Sequence, residues 1–374
     1  MISGNDIQTL IGQDNQGREI LSLFLDMSVN SDNKRTHTIF LNKEKARFAE
    51  LQSDRERHHR EPLGATFERV ERWLNEDFDP TNKGVAIYAD IGGDWFQAFQ
   101  LPAPLRNRLE ILPHPVIGPL TEIVRSHPRY GIIVVDREHL RLLSLHMGVV
   151  GEDYRLEPEP IDSPHDIQAG GYSQKGNQKR KAEETRHFFK DFADEVARFD
   201  QRVEADHYLL LGTNENTQHF REFLTKSITD RIIHNGTAPP TAGAGDIVAA
   251  ITPVLDDLAR QHEAQALDVV QDRVRQSHFA TSGIHDTLVQ LQEGKVQRLV
   301  VARDLSRDGV QCTQCGFFLA RRTGACPYCG GELQDGIDLV ESMIRIAANQ
   351  DIALDFVASD TMRDLKGVAA LLKF

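Results

Sequence analysis

The chain has 374 residues, and its 56 acidic residues outnumber 43 lysines and arginines to give a formal net charge of −13. That charge argues against broad, non-specific binding to nucleic acid, and no stretch approaches the roughly 18 apolar residues that a membrane span needs. The length exceeds one ordinary hydrophobic core, so we expect two or three domains. The first 19 residues contain no basic or apolar run, so we expect no secretory signal, a cytoplasmic location and reduced cysteines.

The first block, residues 1–125, reads as an α/β arrangement. Residues Thr38–Glu76 are helix-forming and highly charged. The run RERHHREP (Arg55–Pro62) within them is either an RNA contact or a solvated helix face. Apolar stretches bounded by turn residues predict three strands, at Ile20–Met27, Gly84–Asp90 and Trp95–Pro102.

The second block, residues 126–243, alternates strands and helices and predicts an α/β layer. A strand at His127–Asp136 pairs with a hairpin partner at Leu140–Gly148, and an acidic, proline-containing loop follows. A buried strand at His207–Gly212 and a helix at Phe220–His234 come later. Between them, a helix that starts at Ala182 has an apolar stripe typical of ordinary core packing, formed by Phe188, Phe192, Val196, Phe199 and Val203.

A polar segment, Ala169–Lys181, precedes that helix and concentrates positive charge. Six cations between Lys175 and Lys190 face only two acids, which is a local surplus of +4. The segment has neither the lysine of a phosphate-binding P-loop nor a strand-opening glycine pattern. It is either a solvated loop or a loop that contacts RNA phosphates. In the second interpretation the RNA-binding residues would be Gly170, Gly171, Tyr172, Ser173, Gln174, Lys175, Lys179, Arg180 and Lys181.

The third block, residues 244–374, follows a linker at Asn235–Gly245 that is rich in glycine, proline and alanine. Gly283–Leu305 and Asp335–Asp360 each predict a helix followed by a strand, so this block reads as a small α/β/α domain. A long amphipathic helix opens it, with a stripe predicted at Val254, Leu258, His262, Val269 and Val274.

Four cysteines interrupt the third block as two CxxC pairs with ten residues between them, at Cys312, Cys315, Cys326 and Cys329. Four thiolates at this spacing suit a structural zinc ion with tetrahedral geometry. A redox centre needs only one CxxC, and a disulfide is disfavoured in a reducing cytosol. All four coordination positions would be filled by protein, so the ion would order a contact surface at residues 310–333 without catalysing a reaction.

The order of these segments resembles the archaeal and eukaryotic class-1 peptide chain release factors and their relative Pelota, in the bacterial branch that includes Balon-like ribosome hibernation factors. The resemblance implies a mixed α/β (α+β) fold of three domains with a zinc ribbon inserted in the C-terminal one. The stretches that carry it are NKGVAIYADI (82–91), RYGIIVVDREHLRLLSLHMG (129–148), GGYSQKGNQKRKAEETRHFFKDFADEVARF (170–199), GIHDTLVQLQEGKVQRLVVARDL (283–305) and DLKGVAALLKF (364–374).

Two departures from the family pattern bear on activity. In release factors the glutamine directly after the two glycines enters the peptidyl-transferase centre and assists ester hydrolysis. Tyr172 stands at that place here, and Gln174 lies two residues further on. The stop-codon-reading loop of the family has no counterpart in residues 30–75. The resemblance therefore implies a factor that has lost both codon reading and the standard hydrolytic residue.

The resemblance implies a non-enzymatic factor of hibernation or rescue type that binds the ribosomal A site. Residues 1–125 would lie toward the decoding centre, residues 126–243 toward the peptidyl-transferase centre, and residues 244–374 would contact the ribosome and a translational GTPase such as elongation factor Tu. It implies contacts with ribosomal RNA and none with DNA or a membrane. Two alternatives stay open: a peptidyl-tRNA hydrolase that uses Gln174, and a generic zinc-ribbon protein that binds RNA or protein.

Overall fold

A computed structural model of the chain describes residues 2–13, 17–51, 57–156, 173–276 and 278–373. For residues 51, 57–60 and 173–182 it describes the backbone alone. Within these ranges, no helix combines the length and the apolar composition needed to cross a bilayer.

The described residues form helices and strands throughout their length. The helices are α1 Gly4–Ile11, α2 His37–Leu51, α3 Arg57–Glu76, α4 Gly118–Ser126, α5 Ser173–Val203, α6 Asn214–Arg221, α7 Lys226–Thr229, α8 Ala244–Arg275, α9 Ile284–Gln292 and α10 Leu339–Asn349. The strands are β1 Ile20–Asp26, β2 Gly84–Asp90, β3 Phe96–Leu101, β4 Arg108–Leu112, β5 Tyr130–Val135, β6 Leu140–His146, β7 Val149–Leu156, β8 His207–Leu211, β9 Ile232–Gly236, β10 Ala280–Ser282, β11 Val296–Ala302, β12 Asp308–Cys312, β13 Phe318–Leu319, β14 Leu333–Asp338, β15 Ala353–Val357 and β16 Val368–Leu372.

Contacts between residues divide the chain into two units. Unit 1 combines Met1–Ser126 with Asp257–Phe374, and unit 2 is His127–Asp256. The first and third sequence blocks therefore share one unit, and the division between units falls inside α8. The functional division into three domains stays a prediction.

The N-terminal part of unit 1 contains an antiparallel sheet of order β3-β2-β1-β4. One face of β1 carries Leu21, Leu23 and Leu25 against side chains of α2 and α3. Phe24 lies on the other face and meets the Tyr88 ring edge-on, with ring centroids 5.9 Å apart. Burial on both faces explains why β1 is a continuous apolar run, although strands of antiparallel sheets often alternate.

The C-terminal part of unit 1 contains a mixed sheet of order β10-β16-β11-β15, in which β11 and β15 are parallel. Val270 of α8 is fully buried against the Val300 and Ala369 side chains of this sheet. After β11, the chain forms a separate three-stranded sheet of order β13-β12-β14, which contains the cysteine segment.

Unit 2 is a five-stranded mixed sheet of order β7-β6-β5-β8-β9 with helices on both faces. On one face α5 and α6 pack against β5, β6 and β8. On the other face Ile247 and Ile251, from the start of α8, pack against Ile132 and Val134 of β5. This layered arrangement, with the sheets of unit 1, confirms the predicted mixed α/β fold.

Two sequence predictions in unit 2 need correction. The residues directly after the hairpin of β5 and β6 form the strand β7, which the sequence did not predict, and the proline-containing part of the predicted loop lies outside the described residues. The helix predicted at Phe220–His234 is replaced by the end of α6, the four-residue α7 and the strand β9. β9 pairs in parallel with β8, with Ile232 opposite Tyr208, and at the start of this pairing the Tyr208 N–H donates to the Arg231 carbonyl at 2.8 Å.

The limits and face of two helices also differ from prediction. α5 begins at Ser173, nine residues before the predicted start at Ala182. The intervening residues are mostly lysine, arginine and glutamine, which favour helix, and the single Gly176 is tolerated. The stripe predicted for α8 is shifted, since Val269 is 47 % exposed whereas Ala266 and Val270 are buried.

Candidate metal centre and basic helix

The four cysteine side chains meet in the small three-stranded sheet, and their Sγ atoms all lie within 4.8 Å of one another. The Sγ atoms of Cys312 and Cys329 are 3.4 Å apart, and those of Cys315 and Cys326 are 3.7 Å apart. Four sulfur atoms held about 2.3 Å from a zinc ion at tetrahedral corners lie about 3.8 Å from one another. All four thiols are free of disulfide bonds. The donors and their spacing therefore fit one metal ion.

Each CxxC pair forms a tight turn that ends in a glycine. The Gly316 N–H donates to the Cys312 carbonyl at 2.9 Å, and the Gly330 N–H donates to the Cys326 carbonyl at 2.8 Å. Both glycines have a φ of +75°, which other residues adopt at a cost. The two turns thus have the same backbone design, and each directs two thiols toward a common point.

Backbone donors inside the turns favour the thiolate form that a metal requires. The Cys315 N–H points at the Cys312 Sγ at 3.5 Å. This hydrogen bond is the main cause that lowers the pKa of the Cys312 thiol to about 6. The Cys312 thiol therefore loses its proton readily near neutral pH.

The cysteine turns rest on a very small apolar core. It comprises Val310, Cys312, Leu319, Cys326 and Leu333, with Phe317 packed beside them. So few apolar side chains supply little folding free energy, and small domains of this kind commonly depend on a metal. The cluster is thus placed where a metal ion would contribute most to local order.

Helix α5 is anchored to unit 2 by its C-terminal half. Phe189, Phe192, Val196 and Phe199 are all buried against the sheet. Phe188, predicted to belong to the stripe, is only partly buried, and Phe189 takes the core position instead.

A partly buried polar contact fixes the end of α5. Asp200 accepts hydrogen bonds from the Tyr208 hydroxyl at 2.9 Å and from both terminal nitrogens of Arg231, at 2.9 and 2.5 Å. The Arg231 guanidinium also lies 5.3 Å from the centroid of the Tyr208 ring. The paired charges and the ring contact hold the helix to β8 and to the turn before β9.

The predicted RNA-binding residues lie at the other end of α5. Gly170, Gly171 and Tyr172 lie outside the described residues. The remaining six, from Ser173 to Lys181, have helical backbone, and their side chains are not described. The next cations along the helix, Arg186 and Lys190, are exposed. In the Arg55–Pro62 run, residues 57–62 lie inside α3, and residues 55 and 56 lie outside the described residues.

Sequence reasoning missed Glu341 of α10, which is buried at 3 % exposure. Its two carboxylate oxygens accept the N–H groups of Ile117, at 2.7 Å, and of Gly118, at 2.9 Å, where α4 begins. Burial raises the pKa of Glu341 to about 7, although these two donors and the nearby Arg108 and Arg345 act to lower it. Glu341 and Arg345 are the two charged residues in the otherwise largely apolar helix LVESMIRIAAN, and a carboxylate in such a helix gave a signal that this position is partnered.

Sequence reasoning also missed Arg141, a cation only 1 % exposed in the centre of unit 2. Its guanidinium donates to both carboxylate oxygens of Asp153, each at 2.8 Å, and to the carbonyls of Pro240 and Ala242. The segment predicted as a linker, Asn235–Gly245, therefore contacts the sheet of unit 2, and Ala238 packs against its apolar core.

Comparison with known proteins relates part of this chain to translation release factors. Residues 115–263 match the model of the bacterial archaeo-eukaryotic release factor family 10. The peptide chain release factor subunit 1 of Thermococcus onnurineus is 21 % identical over 294 residues, which cover 70 % of this chain and 68 % of that protein. These matches support the release-factor/Pelota family. The family segment contains the whole of α5 and the Gly-Gly-Tyr sequence, whereas the four cysteines lie outside it.

Solved structures of the release-factor/Pelota family are also similar to this chain. The structure of Saccharomyces cerevisiae Dom34 is 10 % identical, with a TM-score of 0.43, over 80 % of this chain and 83 % of that one. A model of ribosome-bound archaeal Pelota with ABCE1 is 13 % identical, with a TM-score of 0.41, over 100 % of this chain and 94 % of that one.

Proposed function

We propose that this protein is a non-enzymatic translation factor of hibernation or rescue type that occupies the ribosomal A site. Its family and its curated relative are those of peptide chain release factors. The observation that carries the proposal is Tyr172, which directly follows Gly170 and Gly171 inside the matched segment. Release factors place their hydrolytic glutamine there, so this chain keeps the family framework without the residue that releases peptide.

The basic half of α5 supports contact with ribosomal RNA. Residues 173–187 contain no apolar side chain larger than that of Ala182, so this half of the helix has no face suited to a protein core. Fifteen helical residues span about 22 Å at 1.5 Å each. A helix of that length, anchored at Phe189 and beyond, suits insertion into a cavity lined by phosphates.

The charge distribution indicates which part of the protein would meet RNA. The chain carries −13 in total, while residues 175–190 carry +4. Phosphates repel an acidic surface and attract a cationic one, and screening confines each effect to about 10 Å at ordinary salt. The acidic remainder would disfavour binding in other orientations, so the basic helix would lead the approach to RNA.

A structural zinc ion at Cys312, Cys315, Cys326 and Cys329 belongs to the same proposal. Zinc bound by four thiolates would have no open position for substrate, and its contribution would be to fold the three-stranded sheet. The spacing of the four sulfurs and the matched glycine turns support this assignment.

A translational GTPase such as elongation factor Tu is the partner we propose for delivery to the ribosome, in the cytoplasm. The C-terminal block of the family is where such a contact is expected, and in this chain that block includes the cysteine sheet. The GTPase would bring the factor to the A site as it brings a tRNA.

Co-sedimentation tests the proposal. The full chain is mixed with ribosomes purified from growing cells and from starved cells, pelleted through sucrose and quantified. A hibernation factor will pellet with ribosomes, and more will pellet with those from starved cells. Failure to pellet with either sample would contradict the proposal.

A hydrolase that uses Gln174 is the alternative that the same ribosomes distinguish. Ribosomes that carry labelled peptidyl-tRNA are incubated with a small amount of the protein, and released peptide is counted. The proposal expects no release above buffer. Release over many turnovers would replace the non-enzymatic function with the hydrolase.

A further inference from the structure

Two contacts between sulfur atoms join the two cysteine turns. The Sγ atoms of Cys312 and Cys329 are 3.4 Å apart, and those of Cys315 and Cys326 are 3.7 Å apart. Each contact takes one cysteine from each CxxC turn. A disulfide bond is about 2.0 Å long, so the two atoms of a pair need to approach by only about 1.4 or 1.7 Å to bond. The geometry therefore places two pairs across the cluster that can form disulfides.

Each contact joins one exposed cysteine to one buried cysteine. Cys315 and Cys329 are exposed, whereas Cys312 and Cys326 are only 1 % and 3 % exposed. Small oxidants reach an exposed thiol first, and the sulfenic acid that forms there condenses with a neighbouring thiol. In each pair that neighbour is the buried cysteine. Redox-sensor cysteines commonly have this arrangement, in which a solvent-accessible thiol lies next to a resolving cysteine.

Backbone pairing holds the two turns together without using the sulfur atoms. Cys312 is paired with Leu333 in the ladder between β12 and β14. The Thr313 N–H and hydroxyl both donate to the Glu332 carbonyl, at 3.0 and 3.2 Å. Gly331 lies so close to the first turn that a Cβ added to it would be 3.0 Å from the Cys312 Sγ. The paired cysteines would therefore stay adjacent while their thiols are oxidised.

We propose that the cluster is a site of reversible oxidation, at which a peroxide forms one disulfide between Cys312 and Cys329 and another between Cys315 and Cys326. In each pair, the exposed thiol attacks the peroxide O–O bond, becomes a sulfenic acid and releases one water. The buried thiol then attacks the sulfenic sulfur, and the S–S bond forms. The hydroxyl leaves with the proton of the buried thiol as a second water. The two sulfurs lose two electrons, and one peroxide gains them.

Oxidation would remove every metal ligand from the cluster. Zinc binds cysteine as the thiolate, so a zinc ion held there would be released as the disulfides form. Cytosolic disulfides are usually transient and serve catalysis or redox sensing, and cellular thiols would reverse these two by exchange. The inference concerns the cysteines alone, so it goes beyond A-site binding and holds whichever way that proposal is decided.

Peptide mapping tests which disulfides form. The full chain is purified under reducing conditions, freed of reductant, treated with a small molar excess of hydrogen peroxide and alkylated with N-ethylmaleimide. Trypsin cuts after Arg321 and Arg322, between the two turns, and separates residues 308–321 from residues 323–345. Disulfides across the turns leave these two peptides joined, whereas disulfides within a turn leave them apart. We expect joined peptides, and their separation after treatment with dithiothreitol.

Substitution of each exposed cysteine identifies the pairs. Cys329→Ser should lose the bond to Cys312 and keep the bond between Cys315 and Cys326. Cys315→Ser should lose the bond to Cys326 and keep the bond between Cys312 and Cys329. The two variants are matched controls for each other, because each keeps three thiols and both buried cysteines. Fragment spectra locate the N-ethylmaleimide on the one thiol that is left over.

The unmodified chain keeps the test decisive if either variant fails to fold. In its singly oxidised form, N-ethylmaleimide should lie on Cys315 and Cys326 together, or on Cys312 and Cys329 together. Zinc bound at the start should be lost in step with the free thiols. Disulfides within either turn, a bond between Cys312 and Cys326, sulfonic acids without disulfides, or thiols that all survive peroxide would each overturn the inference.

Discussion

Glu341 lies buried where the backbone enters α4, and its protonation differs between the folded and the unfolded chain. Its pKa is about 7 when folded, against an ordinary value of 4.5. Between these values the folded chain keeps a proton that the unfolded chain has released. The stability that comes from this proton is fully present below pH 4.5 and is lost as the pH rises through about 7.

Glu341→Gln should remove that pH dependence. From pH 5 to pH 8, the free energy of unfolding of the unmodified chain should fall by about 2–3 kcal/mol relative to the variant, since one pKa unit corresponds to about 1.4 kcal/mol. Urea unfolding followed by tryptophan fluorescence reports this, because both tryptophans, Trp73 and Trp95, lie in unit 1 with Glu341. Parallel pH profiles for the two proteins would show that the carboxyl titrates normally.

Cys326→Ser tests the metal centre at a single residue. A hydroxyl is a poor zinc ligand, so we expect the variant to lose its one zinc per chain and local order at residues 310–333, while the first block stays folded. Zinc is measured by elemental analysis under reducing conditions, and order by hydrogen exchange. Gln334→Ala, an exposed neighbour on β14, is the control and should retain zinc. An unmodified chain that contains no zinc would refute the assignment.

Gln174→Ala tests whether this glutamine has a catalytic role. Its backbone lies in the first turn of α5, two residues after Tyr172. Water and ester must be positioned within about 1 Å, since a misplacement of that size can cost about a hundredfold in rate. We expect no peptide release before or after the substitution, and ribosome affinity within about threefold, as for the loss of one hydrogen bond of roughly 0.5–1.5 kcal/mol. Release that Gln174→Ala abolishes would establish a hydrolase.

At the scale of elements, the basic half of α5 is the part we expect to meet RNA. Replacing Lys179, Arg180 and Lys181 with alanine removes three charges and preserves helix propensity. Ribosome affinity should fall, and the slope of log K against log salt should flatten by roughly two to three units, since each phosphate contact contributes roughly 0.7 to 0.9. Filter binding at salt concentrations from about 50 to about 300 mM measures this slope.

A second triple variant controls for net charge. Arg155, Arg198 and Arg202 are exposed cations of unit 2 outside residues 173–187. Their replacement with alanine removes the same three charges and should leave the slope nearly unchanged. An equal effect of both triple variants would mean that overall charge, and not the basic half of α5 at residues 173–187, governs binding.

Elements with strong local patterns were predictable from the sequence. β1 and β2 have apolar runs bounded by turn residues, and both were found within a residue of their ends. β9 was missed because Ile232 and Ile233 follow a helix-like pattern and gain their strand form only from pairing with β8. Such long-range pairing leaves no mark at short sequence spacing.

The candidate site was predictable to different degrees. The cysteine cluster follows from spacing alone, because two CxxC turns can close on one ion whatever the fold around them. The partners of Glu341 are 223 and 224 residues away along the chain, and the Arg141 guanidinium reaches Pro240. Contacts over such distances depend on the tertiary fold, so only the burial of a charge in an apolar run hinted at them.

At the scale of the whole molecule, the proposed RNA-binding helix and the proposed metal centre lie in different units. Unit 2 contains the basic helix α5, and unit 1 contains the cysteine sheet. An acidic chain with one basic helix is expected to bind weakly to RNA in general and to depend on the shape of one cavity for affinity. We therefore expect binding to be specific for a single ribosomal site.

Competition for the A site tests the central proposal most directly. Labelled full-length protein is titrated with ribosomes whose P site holds tRNA and whose A site is either empty or filled by a second tRNA, and the bound fraction is measured. We predict saturable binding to the ribosomes with an empty A site and loss of that binding when the A site is filled. Equal binding to both, or binding to neither, would contradict the account.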